Sequence, residues 1–152
     1  MNPLAIASIG LPLLASLLLI VTHRRFRHAA ASRVTLGAAG LTGLITLALP
    51  LSPHLTPGTG VVWLPGMGAM GFDTGFSSAM AACVTALACV IVLAFTLHRS
   101  GESPAMSGAV ILLALAGGNG AFLADHFLGR DVALEIVALC AALAPLIEAG
   151  TG

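Results

Sequence analysis

The chain has 152 residues, of which 58% are hydrophobic and only 8% are charged, and its mean hydropathy is +1.04. So few polar residues cannot cover a water-facing surface around a core, so the solvent of this chain is lipid. The formal charge is zero and every basic residue is an arginine, which gives no electrostatic footprint for nucleic acid or an acidic partner.

Apolar runs read against Pro, Gly and charge predict one all-α membrane domain over residues 1–152. It is a bundle of about five transmembrane helices, near 3–22, 34–50, 78–98, 106–125 and 129–148. The first run has its charges after it, at Arg24, Arg25 and Arg27, so it reads as a retained helix and not as a cleaved signal. Four of the six arginines, the fourth being Arg33, fall between the first two spans and place that loop in the cytoplasm. Alternation then puts the amino terminus outside an inner membrane and, with five spans, the carboxyl terminus inside.

The connection 51–77 is expected outside. Val61–Leu64 and Ala69–Phe72 are short apolar runs separated by Pro65, Gly66, Met67 and Gly68, which suits a β-hairpin on the membrane surface with Trp63 at the headgroups. An irregular Gly/Pro loop is the alternative. Asp73, Thr74, Ser77 or Ser78 is expected to cap the third helix. In the third and fifth spans Cys83, Cys89 and Cys140 lack CxxC spacing and read as small buried hydrophobes.

The fourth span is interrupted by Gly117, Gly118, Asn119 and Gly120. Either the helix is broken near an ion path, or the glycines form a packing face and Asn119 bonds to a neighbouring helix. After it come Asp125, His126, Arg130, Asp131 and Glu135, the one ionisable cluster close to a span. Glu135 lies deepest, where a bare carboxylate costs several kcal/mol unless protonated, hydrated or paired. Burial of that kind raises a carboxyl pKa, which suits a proton relay. Asp131 lies one turn earlier on the same face, and Arg130 is placed to neutralise one of the two acids. If the helix sits higher in the bilayer, Glu135 is simply solvated. Ala138, Ala141 and Ala142 then permit close approach of another helix.

No Walker, GxGxxG, HExxH or nucleophile-elbow pattern occurs, so no catalytic residue is expected. The five histidines lie at span ends or in loops. They offer no pair at matching depth for haem, and no metal or other cofactor is expected.

The stretch Ala124, Asp125, His126, Phe127, Leu128, Gly129, Arg130, Asp131, Val132, Ala133, Leu134, Glu135 resembles a motif of the antiporter-like subunits of respiratory complex I, Mrp-type cation/proton antiporters and membrane-bound hydrogenases. That family has an Ala-Asp-Asn-Leu-Leu-like turn, an apolar run, then Trp-Glu. The basic loop between the first two helices, the outer segment with Trp63, and Phe72, Asp73, Ser77, Ser78 and Met80 are similar in order, so the likeness covers the whole chain. It implies that Glu135 is the fifth-helix glutamate of a proton path. The residue pattern itself, and not the likeness, offers Asp131 as a second relay acid and Arg130, Asp125, His126 and Asn119 as ion-pair or path residues.

The chain departs from the family in having Leu134 at the tryptophan position and charge at Arg130 and Asp131. It also contains none of the lysines that partner the glutamate. The resemblance therefore implies a split or truncated subunit of a proton- or cation-translocating membrane complex, completed by a partner chain that supplies an intramembrane lysine. The alternatives are a non-translocating scaffold or assembly subunit and a quinone- or haem-binding membrane anchor.

Overall fold

The computed structural model of the chain describes residues 3–24, 28–51, 62–64, 68–70, 72, 75–99 and 104–149. Among them are five helices: α1 (Pro3–Thr22), α2 (His28–Leu51), α3 (Phe76–Arg99), α4 (Pro104–Leu123) and α5 (Phe127–Ala149). The first four are long and apolar enough to cross a membrane. The fifth carries Arg130, Asp131 and Glu135 in its first three turns. Helix α2 begins at His28, ahead of the expected residue 34. Ala29, Ala30 and Ala31 are strong helix formers, and Ser32 and Arg33 mark only where the apolar part begins, not where helical hydrogen bonding begins.

The bundle is assembled around α4. Half of its apolar window (50%) is buried, against 28%, 28% and 22% for α1, α2 and α3. It packs on all four other helices, whereas α5 packs substantially on α4 alone.

Side-chain size is distributed inside out. On α1 the buried residues are Ala5, Ser8, Pro12, Ser16 and Leu19, spaced three or four apart, while Leu14, Leu17, Leu18 and Val21 point outward. In water that arrangement would waste the hydrophobic effect. In lipid an outward leucine loses nothing, and helices associate through close approach of small residues. The tightest approach is at Gly108, where an added Cβ would lie 2.5 Å from Thr35 Oγ1 and 2.9 Å from its Cγ2. Any side chain there drives α2 and α4 apart. The buried Thr35, Thr42 and Thr46 hydroxyls donate to the carbonyls of Ala31, Ala38 and Gly43 at 2.8, 2.8 and 2.9 Å, so each meets its polar need within its own helix.

In the long connection, β1 (Val62–Leu64) and β2 (Gly68–Met70) pair antiparallel, with Val62 opposite Met70, Trp63 opposite Ala69 and Leu64 opposite Gly68. The Trp63 side chain and the expected caps Asp73 and Thr74 lie outside the described residues. Ser77 and Ser78 fall inside the first turn of α3, which starts at Phe76. Phe72 makes an antiparallel bridge with Ala124 and packs on a cluster of Ala5, Leu49, Ala79, Ala82 and Leu123. One end of the bundle thus gathers the start of α1, the end of α2, the start of α3 and the α4–α5 junction. Among the described residues, chain order places Arg24, Arg33 and Arg99 toward the opposite end and Arg130 beside the junction.

Candidate functional site

The polar groups near α4 and α5 divide by the direction in which they face. Asn119 faces inward and is fully buried. Its partner arises from a proline: Pro12 has no N–H, so the carbonyl of Ser8, four residues earlier, loses its helical donor. Asn119 Nδ2 fills the gap, donating to Ser8 O at 3.0 Å. The amide has one workable orientation, because a flip would set acceptor against acceptor. Its Oδ1 is enclosed and has no hydrogen-bond partner among the described residues. Farther along the same pair of helices, Ser16 Oγ donates to Ala109 O at 2.8 Å, and these two bonds fix the antiparallel register of α1 and α4.

Helix α4 runs unbroken through Gly117, Gly118 and Gly120, so the broken-helix reading is set aside in favour of packing. Successive residues are turned about 100° apart and meet different neighbours. A Cβ at Gly117 would lie 3.0 Å from the Ala133 carbonyl and 3.0 Å from Val137 Cγ2, on α5. One at Gly118 would lie 3.1 Å from Thr85 Cγ2, on α3. Interhelical packing here outweighs the weak intrinsic helix propensity of the glycines.

At the α4–α5 junction the charged groups are exposed. The Leu128 N–H donates to His126 Nδ1 at 3.4 Å and the Arg130 N–H to His126 O at 3.2 Å, so His126 caps the start of α5. Arg130 Nε donates to Ala124 O at 2.8 Å, tying the end of α4 to the first turn of α5. The expected neutralisation of Asp131 or Glu135 by Arg130 does not occur in this arrangement, because the guanidinium is drawn back toward the junction. Asp125, Asp131 and Glu135 are exposed and make no ion pair among the described residues.

Glu135 is the ninth residue of α5, about two turns beyond its start. Helix α5 turns Ala133 and Cys140 into the bundle, and Glu135 faces the other way. With Asp131, Ala138 and Ala142 it forms an exposed stripe at i, i+4, i+7 and i+11, acidic at one end and small-residued at the other. The stripe can exchange a proton with, or bind a cation from, whatever covers it. Among the described residues it touches nothing that does so.

Among the described residues no group of three or more His, Cys, Asp and Glu side chains is placed to hold a metal ion. His23 Nδ1–H donates to Ile20 O at 2.8 Å, at the far end of the bundle from His126. The sequence reading missed the Pro12–Asn119 link, although a proline inside a span marks the carbonyl four residues before it as needing a donor. No protein-family model matches the chain and no curated protein matches it in sequence, so the residues themselves carry the functional reading.

Proposed function

We propose that the chain is a subunit of a multi-subunit proton- or cation-translocating membrane complex, a relative of antiporter-like subunits, in which Glu135 exchanges protons at the interface with a partner chain. The observation that carries this reading is the direction of Glu135: outward from α5, two turns beyond its start, with no partner among the described residues. A charged carboxylate facing hydrocarbon costs about 2.5–3.5 kcal/mol at a helix centre on insertion scales, and a neighbouring chain that brings a cation or a hydrated path removes that cost. Ala138 and Ala142 on the same stripe suit the close approach of a partner helix.

In this reading α5 also crosses the bilayer, and the arginine-rich end faces the cytoplasm of a cell with an inner membrane. The amino terminus and the ladder of β1 and β2 lie on the outer side, as an external hairpin. Asp131 shares the outward stripe and assists Glu135, while Asp125, His126 and Arg130 sit at the mouth of the path.

The test is Glu135→Gln in the assembled complex. The expected result is normal assembly with ion translocation reduced about tenfold or more, the scale on which a positioned proton-transfer group acts. Normal assembly with unchanged translocation refutes the proton role and leaves a scaffold subunit. That second reading is favoured by one observation: the amide nitrogen of Asn119, the other intramembrane polar residue considered for a path, is committed to the Ser8 carbonyl.

A further inference from the structure

A hollow lies between α3 and α5, because α5 packs on α4 and leaves the flank of α3 uncovered. It holds about 650 Å³ and is floored by Ala114, Gly118 and Ala121 of α4. Ala81 and Thr85 form one wall and Leu134 and Val137 the other. All of these present carbon to the hollow except the Thr85 hydroxyl, which is turned to the Ala81 carbonyl at 2.9 Å. Apart from the Cys89 thiol farther along α3, its other polar groups gather at one mouth: Ser77 and Ser78 from the first turn of α3, and Arg130 from the first turn of α5.

That mouth is built for an anion. A guanidinium has five N–H donors, and Arg130 uses Nε on Ala124 O while making no ion pair with a carboxylate among the described residues. Asp131 follows it in sequence, but adjacent helical residues point apart. Asp125 lies before the helix, and Glu135 is on the outward stripe. The starts of α3 and α5 both bring the positive ends of their helix dipoles to the same level.

Polarity selects the occupant. An apolar chain with an anionic head matches a furrow lined by carbon along its length and by a guanidinium and two serines at one mouth. We infer that the furrow between α3 and α5 holds one phospholipid, with its phosphate on Arg130 and an acyl chain laid along Ala81, Gly118 and Val137. This inference does not depend on proton exchange at Glu135, because it is read from lipid retention and not from transport.

The test is native mass spectrometry of the full chain, extracted in mild detergent, stripped of lipid and titrated with three probes. These are a phosphatidylglycerol, a diacylglycerol with the same acyl chains, and inorganic phosphate. The expected result is a one-to-one adduct with phosphatidylglycerol, binding of the diacylglycerol weaker by about tenfold, as loss of a charge-assisted contact predicts, and none with phosphate alone. Arg130→Gln brings phosphatidylglycerol down to the diacylglycerol level. Arg33→Gln, exposed on α2 toward the opposite end of the bundle, leaves it unchanged. Ala81→Leu fills the apolar part and weakens both lipids. Equal binding of the two lipids, or an Arg130→Gln variant that binds like the parent, overturns the inference. So does a photo-crosslinker at position 81 that captures a protein helix in membranes in place of lipid.

Discussion

Helices α4 and α5 are of similar length and both are rich in small residues, yet they use polarity in opposite ways. Helix α4 turns Asn119 into the bundle, where it replaces a hydrogen bond that Pro12 removed from α1. Helix α5 turns Asp131 and Glu135 away from the bundle, where no described residue pairs with them. In a membrane the direction of a polar group separates its roles. An inward group paired to a defined backbone atom holds the fold together, and an outward ionisable group demands something from outside the chain.

The contrast is open to direct attack, and the largest effect is expected from bulk placed on each helix in turn. Gly108→Leu on α4 puts a side chain where a Cβ alone would meet Thr35 Oγ1 at 2.5 Å. It should destabilise the chain by about 3 kcal/mol or more, at the upper end of overpacking costs, seen as loss of helical signal at lower SDS fraction. Ala138→Leu on the outward face of α5 should leave that unfolding midpoint in place and prevent co-purification of the partner subunit. If both variants destabilise the isolated chain equally, α5 has no vacant face.

The next largest effect concerns the Pro12–Asn119 pair. Asn119→Leu leaves the Ser8 carbonyl without a donor and should cost about 1 kcal/mol, the scale of interhelical hydrogen bonds in membranes. In a Pro12→Ala background residue 12 regains its N–H, so the same Asn119→Leu change should cost little. A double-mutant cycle measures the coupling directly, and additive costs would show that Asn119 is held by packing alone. The smallest effect is expected at Leu146, exposed on α5. Leu146→Ala should change the unfolding midpoint by less than about 0.5 kcal/mol, as for surface positions generally.

The all-α class, the apolar spans of α1, α3 and α4 and the helix α5 were legible in the sequence, because about 20 apolar residues in lipid have no structure open to them but a helix. The early start of α2 was not, since Ser32 and Arg33 interrupt hydropathy without interrupting hydrogen bonding. The glycines at 117, 118 and 120 were ambiguous for a similar reason. Composition registers their weak helix propensity, whereas the compensating close approaches of Thr85, Ala133 and Val137 exist only once the helices are packed. The depth of Glu135 along its helix could be counted from the sequence. Its outward direction depended on knowing that Ala133 and Cys140 are the residues α5 presents to α4. The retreat of Arg130 to the Ala124 carbonyl follows from how α4 ends, and charge pairing by spacing does not contain it.

The gap that Pro12 opens in α1 also orders events in time. The ribosome delivers α1 to the bilayer about a hundred residues before the amide that completes it, and during that interval the Ser8 carbonyl faces an environment with few donors. A chain halted before residue 119 keeps that defect permanently. Nascent fragments therefore carry an unsatisfied backbone carbonyl in α1 until the fourth helix arrives.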